Sequence, residues 1–148
     1  MQTTTLIRHL LEVKGNDLWS IGPRASVYDA LRMMSDKDIG ALVVMDGDRM
    51  VGIMSERDYA RKVVLLGKTS RETMVDEIMS SNVFTIHPDQ TVEEAMDLMT
   101  RKRIRHLPVV EDTREEKVLG MISIGDVVKA IIFKQREAIR DMENKIIS

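Results

Sequence analysis

The sequence predicts an α/β (α+β) fold made from a tandem β-α-β-β-α repeat. Three observations carry this. First, Gly120-Met121-Ile122-Ser123-Ile124-Gly125-Asp126 has the form of a strand end, a sharp exit and a first helical turn. Gly52-Ile53-Met54-Ser55-Glu56-Arg57-Asp58 repeats it: Gly, two apolar residues, Ser, two variable residues, Asp. Second, upstream landmarks recur at a fixed offset of 65, pairing Pro23 with Pro88, Val27 with Val92, Ala30 with Ala95, Met34 with Met99 and Leu42 with Leu107. The Ser55/Ser123 and Asp58/Asp126 pairs are 68 apart, so the second hairpin carries three extra residues. Third, Ala41–Met45 and Leu107–Val110 are continuous apolar runs, as expected of strands covered on both faces. One unit of about 60 residues is marginal alone. Two units related by pseudo-twofold symmetry are therefore expected to pack sheet against sheet with helices outside. The expected division is 1–74, a first repeat with an N-terminal helix and linker, and 75–148, a second repeat with a C-terminal helix.

Each element has its own signal. Leu6, Ile7, Leu10 and Leu11 have helical spacing, and Gly15 closes that helix. Asp17–Ile21 is a short apolar segment ended by Gly22-Pro23. Ser26-Val27-Tyr28-Asp29 has capping-box form and starts a helix to about Lys37, with Val27, Ala30, Leu31 and Met34 on one face. Ala41–Met45 and Met50–Met54 are strands joined by the turn Asp46-Gly47-Asp48. Ser55 starts a helix carrying Tyr59, Val63 and Leu66, ended by Gly67. Lys68–Thr73 is polar and reads as a linker. The order then repeats: a short helix with Val75, Ile78 and Met79, a strand at Val83–Ile86, and a capping box at Thr91-Val92-Glu93-Glu94 before a helix with Val92, Ala95, Met96 and Met99. Strands follow at Leu107–Val110 and Val118–Ile122 around the charged turn Glu111–Lys117. Ser123 caps a helix to about Ile146, whose tail from Glu137 is amphipathic and suits either its own domain or a second subunit.

Composition narrows the function classes. With no cysteine in 148 residues, disulfides and thiol chemistry are excluded. A net charge of -2 with 31% charged residues gives no global attraction to nucleic acid or anionic membrane. Aromatic residues are 3%, too few for a base-stacking platform. No run approaches a membrane span, and Met1–Leu11 lacks a secretory pattern, so a cytoplasmic protein is expected. The 12 methionines read as scattered core positions. His9 and His87 have no partners at metal-ligand spacing, so no metal is expected. No nucleophile-base arrangement, P-loop or dinucleotide fingerprint is present, so no catalytic residue is assigned.

The repeated junction itself reads two ways. Ser55 and Ser123 are good N-caps, and Asp58 and Asp126 at the third helical position complement the helix dipole. The same geometry lets an Asp accept ribose hydroxyls and a Ser meet a phosphate beside free backbone N–H groups. In the basic run Arg101-Lys102-Arg103-Ile104-Arg105-His106, a helix C-terminus explains the first three cations, while Arg105 and His106 lie beyond it. Pro108, lacking an N–H, suits a strand start. Gly40 and Ala41 stand where the second repeat has Arg105 and His106. Arg57 suits a solvated face or an anion. Ser20, Ile21, Thr85 and Ile86 read as strand residues.

The doubled junction, with Ser55-Glu56-Arg57-Asp58-Tyr59, Ile104-Arg105-His106-Leu107-Pro108-Val109-Val110 and Ser123-Ile124-Gly125-Asp126-Val127-Val128, resembles a CBS-domain pair (Bateman module) over about Leu6–Ile131. It is most similar to stand-alone two-CBS proteins of bacteria and plants. The resemblance implies a regulatory module, not an enzyme. Such modules bind an adenine nucleotide (AMP, ATP or a dinucleotide such as NAD) in the cleft between the repeats, commonly as a homodimer. By resemblance, Asp58 and Asp126 are ribose contacts with Ser55 and Ser123 beside them. Arg57, Arg105 and His106 lie on the phosphate side, Pro108 after them belongs to the nucleotide-binding set, and Ser20, Ile21, Thr85 and Ile86 wall the adenine. Gly40 and Ala41 depart from the second repeat's pattern, which implies two unequal sites. A regulated protein partner is expected but not identified.

Overall fold

The computed structural model describes residues 5–15, 17–111 and 117–147. Its elements are α1 (Ile7–Lys14), β1 (Ser20–Ile21), α2 (Val27–Lys37), β2 (Ala41–Asp46), β3 (Arg49–Ser55), α3 (Glu56–Tyr59), α4 (Val75–Ile78), α5 (Val92–Lys102), β4 (His106–Val110), β5 (Val118–Ser123) and α6 (Ile124–Ile147). The chain forms two compact units: Asp17–Phe84 with Asp112–Val118, and Met1–Asn16 with Thr85–Glu111 and Leu119–Ser148.

In the first of these, β1 runs parallel to β2 with Ser20 opposite Val43 and Ile21 opposite Val44. Strand β3 returns antiparallel to β2, with a bulge at Val44/Met45. The turn between them places Gly47 at φ 63°, where a side chain would be strained. Ser26 Oγ accepts the Asp29 N–H at 3.1 Å to start α2. The core joins Val27, Ala30 and Met34 of α2 to Leu42, Val44 and Met54 of the sheet, and to Val75 and Ile78 of α4.

Two expectations change here. The helix after Ser55 lasts one α-helical turn and passes into a π-helical turn at Ala60–Val64, where the Leu65 N–H donates to Ala60 O. The extra residue in that turn rotates the following side chains. Val63 stays buried, but Leu66, expected on the same face, is 64% exposed. The segment Lys68–Thr73, expected as a linker, is tied to the start of α2: Val27 N–H donates to Thr73 O and Tyr28 N–H to Ser70 O.

In the other unit, β4 pairs with β5. The strand expected at Val83–Ile86 shrinks to a parallel bridge between Ile86 and Val109. That bridge keeps the Ile21/Val44 register of the first repeat, shifted by 65 on both sides. Residues 112–116 of the charged turn lie outside the described residues. Helix α5 is capped by Thr91 and ends at Arg103 in the left-handed region (φ 56°), as α2 ends at Asp38 (φ 53°). Helix α6 runs 24 residues.

The compact units cut across the two sequence halves, because the short helices are exchanged. Helix α4 docks in the first unit through Val75 N–H to Ala25 O, Asp76 N–H to Pro23 O and Val27 N–H to Thr73 O. Helix α1 makes the matching bonds to the second repeat: Ile7 N–H to Gln90 O, Arg8 N–H to Pro88 O and Val92 N–H to Thr5 O. The motif glycines permit this docking. A Cβ on Gly52 would lie 3.0 Å from Ser80 O and 2.6 Å from Met79 Sδ, and one on Gly120 would lie 3.0 Å from Leu11 Cδ2. Each glycine therefore gives its neighbouring segment room against the strand. Met34, Met50, Met54 and Met99 are core residues, whereas Met74 and Met142 are exposed. Among the described residues no helix is long and apolar enough to cross a membrane.

Candidate functional site

Both junctions fold into the same reciprocal box. Ser55 N–H donates to Asp58 Oδ2 at 2.9 Å, and Asp58 N–H donates to Ser55 Oγ at 3.2 Å. Ser123 N–H donates to Asp126 Oδ2 at 2.8 Å, and Asp126 N–H donates to Ser123 Oγ at 3.2 Å. The residue after each Ser is tied to the preceding strand's start: Glu56 N–H to Gly40 O at 3.1 Å, and Ile124 N–H to Arg105 O at 2.8 Å. The structure thus brings Gly40, Ser55 and Asp58 together at one junction and Arg105, Ser123 and Asp126 together at the other. His106, next to Arg105, opens β4.

Each carboxylate also holds a lysine that the sequence reading did not select. Lys62 Nζ lies 3.2 Å from Asp58 Oδ1, one helical turn on, and donates to Ile78 O at 2.8 Å. Lys14 Nζ, from α1, lies 2.6 Å from Asp126 Oδ2 and donates to Met121 O at 2.8 Å. The first contact has a sequence signal, an acid and a lysine four apart on one helix. The second joins residues 112 positions apart and has none.

Electrostatics at the second junction follow from these contacts. Burial pushes the Asp126 carboxyl up, but the Lys14 ammonium and the Ser123 donors together outweigh it and hold the group below the usual carboxylate range. His106 is pushed down, first by burial, then by the positive charges of Lys14 and Arg105, with Asp126 opposing. His106 thus stands among the positive charges of Lys14 and Arg105 and the negative charge of Asp126.

The remaining candidates vary in access. Arg57, Arg105 and Ser20 are exposed. Thr85 and Ile21 are partly buried, and Pro108 is buried. Ala41 and Ile86 are each 1% exposed, so their side chains belong to the core. Ile86 also spends its N–H on Pro108 O and its carbonyl on Val110 N–H. In the first unit an open cavity of about 590 Å³ is lined by Met34, Ile39, Gly40, Glu56 and Tyr59, among others. Among the described residues, no three His, Asp or Glu side chains are grouped to hold a metal ion.

Comparison with known proteins places this geometry in context. The CBS domain family model matches residues 12–65 and 75–133. The mitochondrial CBS domain-containing protein CBSX3 of Arabidopsis thaliana is 42% identical over 120 residues, 78% of this chain and 57% of the plant protein. The chain thus spans little more than half of that relative. The crystal structure of the CBS domain NE2398 has a TM-score of 0.82 at 44% identity, covering 88% of this chain and 99% of that one. The CBS domain pair of MJ0100, solved with 5′-methylthioadenosine and S-adenosyl-L-methionine, has a TM-score of 0.78 at 26% identity, covering 89% of this chain and 99% of that one. Two family matches, one on each repeat, and the neighbours' fold agree with the doubled junction: the chain belongs to the CBS domain family, as a CBS-domain pair.

Proposed function

We propose that this chain is a regulatory, non-enzymatic module that binds an adenosine-containing ligand at its two Ser-x-x-Asp junctions. The ligand is an adenine nucleotide: AMP, ATP or a dinucleotide such as NAD. One observation carries the reading. Two hairpins of different length build the same Ser–Asp box, with the carboxylate bonded to the start of its own helix. A relative with the same fold binds 5′-methylthioadenosine and S-adenosyl-L-methionine, both adenosine derivatives. In this reading Asp58 and Asp126 accept the ribose hydroxyls, a charge-assisted bond of about 1.5–3 kcal/mol net. Ser55 and Ser123 flank them. Arg105 and His106 take the phosphate side of the second site and Arg57 that of the first. Residues Ser20, Ile21 and Thr85 lie toward the adenine with Ile86 backing them from the core, and Gly40, Ala41 and Pro108 frame the strand starts.

The module acts in the cytoplasm as a homodimer and passes its occupancy to a protein partner. Support for self-association comes from α6. Lys134 ties α6 to Glu93 of α5, while Val128, Ile132, Ile139, Met142 and Ile146 are exposed at the intervals of a heptad seam. A like helix offers the matching seam.

A second reading is a scaffold whose Ser and Asp only cap helices. It is favoured by the lysine already seated on each carboxylate. Thermal melts of the purified chain with and without AMP, ATP and NAD separate the two, alongside mass spectrometry of ligand carried through purification. Nucleotide reading: a nucleotide raises the melting temperature of the wild-type chain and not of the Asp58→Ala, Asp126→Ala double variant. Scaffold: the double variant melts lower by the same amount with and without nucleotide.

A further inference from the structure

We propose that Lys14 sets the charge selectivity of the Asp126 site: a ligand ribose displaces its ammonium from Asp126, and the displaced ammonium pairs with the ligand's phosphate. The inference rests on the nucleotide reading above and names the ligand class for one of its two sites.

Asp126 Oδ2 accepts the Ser123 N–H and meets Lys14 Nζ at 2.6 Å. A diol that binds this carboxylate must therefore compete with an internal cation. An ammonium has three donors, and Met121 O anchors one of them at 2.8 Å. The side chain can then swing from the carboxylate while keeping its bond to Met121 O. The neighbouring charges decide what it meets next. The Arg105 backbone is held at the junction by its carbonyl bond to Ile124 N–H, and its exposed side chain places a positive charge near His106. His106 is held neutral by burial and by Lys14. Two cations then stand against one carboxylate, and a ribose on that carboxylate leaves a local excess of positive charge. A phosphate compensates it, a neutral nucleoside does not, and a sulfonium adds to it.

The other site differs in its surroundings. Lys62 also meets its carboxylate, Asp58, and a carbonyl, Ile78 O, but from the same helix, and Gly40 and Ala41 stand where the second repeat has Arg105 and His106. The selectivity thus belongs to the Asp126 site. Its source is α1, which docks there through the Ile7 and Arg8 N–H groups and through Leu11 against Gly120.

Calorimetry on the full chain tests this with three ligands: adenosine 5′-monophosphate, adenosine and S-adenosylmethionine. The wild-type, Lys14→Met, Lys14→Arg and Asp126→Ala chains are compared, the last marking the binding that belongs to this site. The wild type prefers the monophosphate over adenosine by about tenfold to a hundredfold, with the sulfonium weakest. Lys14→Met lowers that ratio several-fold, leaving only what Arg105 contributes, while adenosine binds as well or better, and Lys14→Arg retains the preference. A merely structural lysine would weaken both ligands equally, leaving the ratio intact, and that result overturns the inference while the nucleotide reading stands. Absence of binding of the monophosphate at this site overturns the inference alone, while absence of binding of AMP, ATP and NAD alike by the wild type overturns the nucleotide reading as well.

Discussion

Ser123 and Asp126 bind each other twice, the backbone N–H of each donating to the side chain of the other at 2.8 and 3.2 Å. The pair starts a 24-residue helix. Any ligand role of Asp126 is therefore laid over a capping role, and the two are separable by measurement. Ser123→Ala and Asp126→Ala should each cost about 1 kcal/mol without ligand, roughly 2–4 °C in melting temperature for a chain of this size. The double variant should lose less than the sum, since each single change already breaks the shared box. Urea unfolding of the four chains reads the coupling.

Substitution of the two motif glycines should rank by what each new Cβ meets. Gly52→Ala brings a methyl within 3.0 Å of the Ser80 carbonyl and 2.6 Å of Met79 Sδ. A backbone oxygen gives way poorly, so a loss of about 1–3 kcal/mol is expected. Gly120→Ala meets the end of the Leu11 side chain, which can rotate, and should cost less. Equal denaturant midpoints for the two variants would contradict this.

His106 should titrate below its ordinary value of 6.5, being half-buried and facing Lys14 of α1 and Arg105 beside it, with Asp126 of α6 opposing. Above about pH 6.5 both folded and unfolded chains carry it neutral. As pH falls, the unfolded chain takes up the proton first, so this contribution to stability is lost as pH drops toward and through the folded pKa. Histidine NMR shifts against pH check the midpoint. It should rise in Lys14→Met and fall further in Asp126→Ala.

The α6 seam should govern self-association. Replacing Ile139 and Met142, 56% and 63% exposed, with lysine removes apolar surface from the seam without touching the core. Sedimentation should show the wild type as a dimer and the double variant shifted to monomer. An unchanged sedimentation coefficient would place the interface elsewhere.

Local chemistry was the legible part of this molecule. Ser26, Thr91, Ser55 and Ser123 cap helices where their sequence spacing says they should, because a cap is decided within four residues. The duplication gave the hairpins and their register. Three features stayed hidden. The exchange of α1 and α4 is made by backbone bonds such as Ile7 N–H to Gln90 O, which leave no residue pattern. The π-helical turn at Ala60–Val64 has no sequence signature and displaced Leu66 from the expected face. Lys14 reaches Asp126 only through that exchanged helix, and the matching position on the other repeat's side is Asn82, so the repeat could not point to it.

Both Ser-x-x-Asp junctions are proposed as adenosine-ligand sites. Calorimetric titration of the purified full chain with AMP, ATP and NAD tests this most directly, in wild type and in Asp58→Ala, Asp126→Ala and the double variant. Saturable binding of at least one ligand is expected, weakened in each single variant and abolished in the double. Heats that are absent in the wild type, or unchanged in the double variant, would contradict it.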